Sequence, residues 1–464
     1  MAKAQSLHEE LARARFGDKR LSVRLGSIVA ALSHAPGEGL PRALRTTAAL
    51  EATYRFMTNA KVTPARILEP HIVAACQRSD DEEAVLLIQD TTELEFEGES
   101  RVALGRVSTS KGGFFAHVAL AVSATSGTPL GIVGLRTWAR TKPALGRAAW
   151  KQSPNRFKEG KESERWRSLV AELEAREIRA RRIHVMDREG DQYVVLAEAQ
   201  RLACNYVVRA KHLDRVLVDN DKGLHTVNAA AVAAPVVLER QVHLAARVKR
   251  WQNTNLKKPN TAPRASRTAR LSVSATTVEA RRSCGIPVAE APPQLPINIV
   301  RVVELNPPDG EAAVEWVLLT NLPVASTADV EFVIDCYRRR WLIEELFKAL
   351  KTGCNYEKLQ LESEKSLTNA LAVMLPLAVE MLRLRALSRS DDAARVNEVI
   401  TKNQLAALRA VAPGLPPRPT SRDVLLAVAA FGGHIKNNGD PGWLVLYRGW
   451  RDLMLIEMGM QSKM

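Results

Sequence analysis

The spacing of apolar and polar positions changes several times along the chain, and each change predicts an element. Up to about residue 63 apolar residues recur at helical spacing, which predicts helices over Ser6–Arg15, Leu21–Ser33 and Ala48–Met57. Val85–Gln89 is a short, largely apolar run that stops at Asp90-Thr91-Thr92, the pattern of a buried strand. Phe114–Ser123 and Pro129–Thr137 read as two further strands, split by a Ser126-Gly127 turn. Lys161–Arg176 reads as a charged helix carrying Trp166 and Leu169. A second short apolar run, Ile183–Met186, also ends on an aspartate, Asp187, followed by a helix to about Arg201 and a strand over Asn205–Arg209. From about 210 to 315 strand-like runs recur without helices between them: Val236–Val248, Ala269–Val278 and Ile297–Leu305. Trp316–Thr320 resumes the buried-strand pattern. Leu367–Leu387 is a strongly apolar helix and Asp391–Val411 a more polar one, followed by a Pro-rich turn at Pro413–Pro419. Asp440-Pro441 has the form of a helix start, with Asp as cap and Pro in the first turn. That helix carries a Trp443, Tyr447, Trp450, Met454 stripe, which either docks on its own domain or pairs with a second subunit.

The stretch Tyr337–Lys351 predicts one helix with two unlike faces, since no Gly or Pro interrupts it. At 100° per residue Leu342, Ile343, Leu346 and Leu350 fall on one side. Tyr337, Arg340, Glu344, Lys348 and Lys351 fall opposite, within an arc of roughly 80°, with Trp341 at its border. Such an arc is ordinarily a solvated face with i,i+4 pairs such as Glu344 with Lys348. A lone Asp after a strand is ordinarily a turn or cap residue. Two strand-ending aspartates and one carboxylate among cations form a less ordinary set, because functional crevices of α/β sheets lie beyond strand ends.

Charge changes the picture. The 464 residues carry a formal net charge of +15, which favours a polyanionic partner, nucleic acid first. The segment Arg247–Arg270 holds eight basic residues and no acidic one, suiting a loop that touches phosphates. Lys19, Arg20 and Arg24 give the second N-terminal helix a basic start, as in small helical modules that read DNA. Five scattered cysteines form no CxxC pair, so neither a zinc ribbon nor a disulfide framework is indicated and a reducing cytoplasm fits. The opening residues are polar and charged rather than signal-like, and the longest apolar run, Ala370–Val379, is about ten residues, short of the about 20 that span a bilayer. No nucleotide-binding glycine motif is present.

Three carboxylates drawn together repel one another, and divalent cations remove that cost. Hard oxygen donors suit Mg²⁺ or Mn²⁺, and two such ions grip a phosphodiester from both sides. Basic side chains would take phosphates, while Trp and Tyr could stack on an unpaired base.

With these residues in view, the chain resembles the cut-and-paste DDE transposases of the bacterial insertion-sequence-four group. The group's Tyr, Arg, Glu, Lys signature at spacings 3, 4 and 7 is met by Tyr337, Arg340, Glu344 and Lys351. The two aspartate motifs correspond to Ile88-Gln-Asp90-Thr-Thr and Met186-Asp187-Arg-Glu-Gly-Asp191. Phe16–Leu25, with Arg24, is similar to the group's end-binding region, and Tyr54-Arg-Phe-Met to its close. Val208-Arg209-Ala-Lys211 is similar to a DNA-contacting strand end, and Glu315-Trp316-Val-Leu-Leu-Thr to the strand before the signature helix. Tyr193 stands where the best-known member has a His.

The resemblance implies an α/β, RNase H-like catalytic core over 64–389 with a β-rich insertion at about 210–315. A helical end-binding domain (1–63) and a helical C-terminal dimerisation region (390–464) would flank it. Asp90, Asp187 and Glu344 would bind two Mg²⁺, with Mn²⁺ able to substitute. Arg24, Arg209, Lys211, Trp316, Tyr337, Arg340, Trp341, Lys348 and Lys351 would touch DNA, with Trp316 holding a flipped base. The partners would be the element's inverted-repeat ends, target DNA and a second copy of the chain, with no membrane and no nucleotide cofactor. An RNase H-like nuclease without transposition, and a DNA-binding regulator without catalysis, are the alternative readings.

Overall fold

The computed structural model describes residues 6–97, 104–105, 107, 112–140, 164–218, 225–244, 265–311, 313–388, 396–435 and 440–461. They form two compact units. The first takes Met1–Arg165, Ala175–Arg182 and Trp341–Met464; the second takes Trp166–Glu174 and Ile183–Arg340. The protein is mixed α/β.

The first unit opens with five helices: α1 (Leu7–Leu11), α2 (Lys19–His34), α3 (Leu40–Leu44), α4 (Thr47–Thr58) and α5 (Pro64–Ser79). Asp18 starts α2 by accepting the Arg20 N–H at 3.0 Å; Thr46 and Thr63 do the same for α4 and α5. No helix over 64–79 is expected from the sequence pattern, yet α5 runs through Pro70 and buries Ile67, Leu68, Ile72 and Ala75. Buried Glu10 fastens α1 to α5, accepting from His71 Nδ1 at 2.5 Å and Arg78 at 2.9 Å. His71 Nε2 in turn accepts the Ile132 N–H at 3.0 Å, so the ring is the neutral Nδ1–H tautomer.

Strands β1 (Ala84–Phe96), β2 (Gly112–Ser123) and β3 (Pro129–Trp138) form an antiparallel run in the order β3-β2-β1. Here the sequence expectation is corrected. β1 does not stop at Asp90: its ladder with β2 continues from Asp90↔Val118 to Phe96↔Gly112, because β-branched Thr91 and Thr92 and apolar Leu94 and Phe96 sustain the pleat. Asp90 therefore sits within a strand.

The second unit contains α6 (Glu164–Glu174) from its third residue, the end of β4 (Arg181–Met186), α7 (Tyr193–Arg201), β5 (Asn205–Arg209), α8 (Val227–Ala233), β6 (Val236–Leu244), β7 (Arg267–Arg281), β8 (Gln294–Leu305), β9 (Glu315–Thr320) and α9 (Thr327–Arg339). Its strands run in the order β4-β5-β9-β8-β7-β6; β4 and β5 are parallel and the remaining pairs antiparallel. The expected β-rich segment is present, but α8, which packs on β7 and β8, and a short turn of helix at Val288–Glu290 interrupt it. Most of the basic segment Arg247–Arg270 lies outside the described residues.

The chain then returns to the first unit with α10 (Trp341–Lys348), a π-helical turn at Ala349–Gly353, and α11 (Glu364–Leu387). α11 is buried along most of its length and packs on α4, α5 and β3, which explains its apolar run. No helix among the described residues is long and apolar enough to cross a membrane. Helices α12 (Val396–Val399), α13 (Lys402–Val411), α14 (Ser421–Phe431) and α15 (Trp443–Gln461) close the chain; 389–395, part of the expected Asp391–Val411 helix, lie outside the described residues. α15 begins at Trp443 rather than at Asp440-Pro441, and the Asp440 carboxylate binds Arg422 at 2.6 Å. Its aromatic stripe docks on its own unit: Trp443, Tyr447 and Met454 are buried, and the Tyr447 hydroxyl lies 3.4 Å from Cys354 Sγ. α14 and α15 pack backbone to backbone, since a Cβ at Gly449 would strike the Val428 carbonyl and one at Gly432 that of Val445.

Candidate active site

The Tyr337–Lys351 stretch is not the single even helix its composition predicts. α9 ends at Arg339, Arg340 forms a turn whose N–H bonds to the Tyr337 carbonyl at 3.0 Å, and α10 starts at Trp341. The boundary between the two units falls at this turn. After Lys348 the helix widens into a π turn, with Cys354 N–H bonding to Ala349 O at 2.8 Å. The wider turn shifts Lys351 off the regular 100° winding, and such turns favour functional positions.

In the first unit α10 packs against β1, the strand that carries Asp90. Leu342, Ile343, Leu346 and Leu350 are buried as the pattern requires. Glu344 is half-buried on the other side, and Trp341 is 51% exposed. The Thr91 N–H donates to Asp90 Oδ1 at 2.8 Å and so orients that carboxylate. His117 on β2 lies beside it, its Nδ1 2.9 Å from Thr91 Oγ1. Burial and the nearby Arg165 and Arg136 push the His117 ring down to about 3, so it is neutral. Lys351 donates to the Glu93 carbonyl of β1 and lies 3.2 Å from Glu357 Oε1; Glu357 also accepts the Glu95 N–H at 3.0 Å. Lys351 thus ties the end of the signature segment to the strand holding Asp90.

Lys348 bonds to Glu345 at 2.7 Å, an i,i+3 pair, where spacing suggests an i,i+4 pair with Glu344. Its ammonium also lies 4.7 Å from the Trp341 ring centre. Glu345 has a role the sequence does not reveal. Its buried carboxylate accepts from Lys348, from Arg385 of α11 at 3.0 Å and from Trp443 Nε1 of α15 at 3.2 Å. Burial pushes its carboxyl up, but these donors outweigh that and hold it below its ordinary value.

In the second unit Asp187 follows β4 directly, as the sequence pattern predicts. Its Oδ1 accepts the Glu189 N–H at 2.8 Å, fixing a tight turn. Around it gather Tyr337, Arg209, Arg340 and Trp316. Tyr337, placed on the polar arc from its spacing, is instead buried, with its ring 5.4 Å from the Trp316 ring, edge to face. Burial and Asp187 push its hydroxyl up, against the pull of Arg340 and Arg209. Arg340 lies 5.9 Å from the Tyr337 ring centre, and Arg209 is held by the Glu315 carbonyl at 3.2 Å. Desolvation pushes the Arg209 guanidinium down; its hydrogen bond to Tyr337 and the charge there oppose this.

Asp191, in the same motif as Asp187, is the buried anchor of the β5 exit. Its carboxylate accepts from Lys211 N at 2.6 Å, His212 N at 2.9 Å and Arg215 at 2.5 Å. This holds exposed Lys211 just past Arg209. Tyr193 is buried and its hydroxyl donates to the Pro292 carbonyl at 3.0 Å, which gives it a packing role. Arg24 lies on α2, half-buried.

The structure therefore brings Asp90, Glu344, Lys348, Lys351 and Trp341 onto packed elements of one unit. It clusters Asp187, Arg209, Trp316, Tyr337 and Arg340 in the other. Each of these carboxylates offers hard oxygen donors that solvent reaches, chemistry that suits Mg²⁺ or Mn²⁺ better than softer ions.

Residues 158–377 match the transposase DDE domain. That span takes in Asp187, the whole second-unit cluster and Glu344, while Asp90 precedes it. The domain is a catalytic one, and the protein is accordingly an enzyme of the DDE transposase class. Residues 3–62 match the transposase DNA-binding domain, so the chain is a DNA-binding DDE transposase, acting in transposition.

Proposed function

We propose that this is a cut-and-paste transposase of the insertion-sequence-four type, with an RNase H-like core in which Asp90, Asp187 and Glu344 hold two Mg²⁺. Bound ions would polarise the attacking and leaving oxygens of a phosphodiester. The observation that carries the reading is the DDE-domain match across Asp187 and Glu344, together with Asp90 on the strand against which the Glu344 helix packs.

The remaining residues would position DNA. Lys351, Lys348, Arg340, Arg209 and Lys211 supply charge for backbone phosphates. Trp341 offers an exposed ring for stacking, and Trp316 with Tyr337 a ring pair suited to an unstacked base. Arg24 and the basic start of α2 would serve end recognition. Nicking by water frees a 3′-hydroxyl; that hydroxyl attacks the opposite strand to close a hairpin; water reopens it, and the freed 3′-hydroxyl joins target DNA. Two copies of the chain would work together on two ends, in the cytoplasm on nucleoid DNA.

The test is incubation of the purified protein with DNA carrying its flanking inverted repeats, with and without Mg²⁺. Nicks and hairpins at the repeat ends are expected only with the metal. Glu344→Gln is expected to bind the ends and leave both strands intact; strand cleavage by that variant would refute the role given to Glu344.

A further inference from the structure

Besides Asp187, the second unit holds a compact group of three unlike metal donors. Glu174 ends α6, His184 lies on β4, and Cys204 immediately precedes β5. One donor atom of each lies within 4.8 Å of the others, and His184 Nε2 is already 2.8 Å from Glu174 Oε1. The His184 side chain is fully buried and that of half-buried Glu174 is 8% exposed, while Cys204 as a residue is 4% exposed. Ala203, in the left-handed conformation at φ 53°, turns the chain out of α7 and delivers Cys204 to this place.

We propose that Glu174, His184 and Cys204 form a Zn²⁺ site, with water as the fourth ligand of the tetrahedron. The donor set argues for the metal. One imidazole, one thiolate and one carboxylate are the three ligand types zinc takes, whereas Mg²⁺ avoids sulfur. Charge argues the same way. A thiolate and a carboxylate together offset a divalent ion, so the loaded site is neutral where an uncompensated charge would be costly. Ligands around tetrahedral zinc stand about 3.3–3.8 Å apart on bond lengths of about 2.0–2.3 Å, so small side-chain rotations bring these three into range. The ion would fasten α6 and the start of β5 to β4. His184 lies on β4, three residues before Asp187, so the site would brace the strand that presents Asp187.

The test uses the full chain, loaded with Zn²⁺, dialysed against Mg²⁺ buffer and analysed for zinc. About one zinc per chain is expected to remain, and X-ray absorption of that sample should show one sulfur at about 2.3 Å and nitrogen or oxygen at about 2.0 Å. Co²⁺ in place of Zn²⁺ should give a thiolate charge-transfer band. Cys204→Ser and His184→Gln should each lower retained zinc by about tenfold or more, while Cys284→Ser, at the exposed cysteine, and Glu344→Gln should not. A wild-type chain that retains no zinc and gives no thiolate band with Co²⁺ overturns the proposal. So does zinc that persists undiminished in folded Cys204→Ser. The X-ray absorption measurement needs no variant, so misfolding of either substitution leaves the test intact: an edge without sulfur overturns the assignment.

Discussion

Asp191→Ala is the most informative single perturbation of the second unit. The Asp191 side chain is fully buried and that of its partner Arg215 is 7% exposed, with 2.5 Å between them. Removing the carboxylate leaves the guanidinium uncompensated, which costs about 3–5 kcal/mol. Two backbone N–H groups, at Lys211 and His212, also lose their acceptor. These losses share one site and do not simply add, so about 4 kcal/mol is the expected total. That is a large part of the about 5–15 kcal/mol that holds a domain folded. With a urea dependence near 3 kcal/mol/M, the transition of the unit should fall by about 1 M. Removing both charges, in Asp191→Ala with Arg215→Met, should cost less than Asp191→Ala alone, since no ion is then left bare in the core. Urea melts of the wild type, both single variants and the double variant would measure this. A loss under about 1 kcal/mol in Asp191→Ala, or strictly additive variants, would refute the view that this cluster anchors the β5 exit.

Further outcomes follow from other contacts. Lys351→Ala should weaken binding to end DNA and lower the slope of log K against log salt by about 0.9, as expected for one lost phosphate contact; an unchanged slope would make its tether to Glu93 its whole role. Buried His71 has its pKa pushed below the ordinary 6.5 by desolvation, which outweighs its bond to Glu10, so the unfolded chain takes up a proton that the native one refuses. That contribution to stability is present above pH 6.5 and lost as pH falls below it; melting temperatures from pH 8 to 5 should drop, and the drop should lessen in His71→Gln. Gly449→Ala places a methyl group against the Val428 carbonyl and should lower stability by about 3 kcal/mol or prevent folding; a wild-type melting curve would contradict the packing described.

Much of this architecture is legible in the sequence because local pattern and tertiary context agree. Ile183–Met186 is apolar but for His184 and does end at Asp187, and the run over 367–387 is buried by α4, α5 and β3. Ser or Thr marks the starts of α4, α5, α9, α11, α13 and α14. Other features are settled by partners distant in sequence. β1 continues past Asp90 because β2 supplies the ladder to Phe96. The turn at Arg340 has no Gly or Pro to announce it. Glu345 reads as a second charge beside Glu344 until Arg385 and Trp443 are seen to converge on it. Asp191 stands in the quoted aspartate motif, but nothing local links it to Arg215, 24 residues on.

Where α14 meets α15 no side chain separates the two peptide backbones. Elsewhere in a core a lost methyl group can be balanced by a larger neighbour, so composition drifts while volume is kept. At Gly432 and Gly449 there is no volume to trade. A change at either position is met only by prying the helices apart, which makes this crossing a fixed point about which the rest of the C-terminal segment is free to vary.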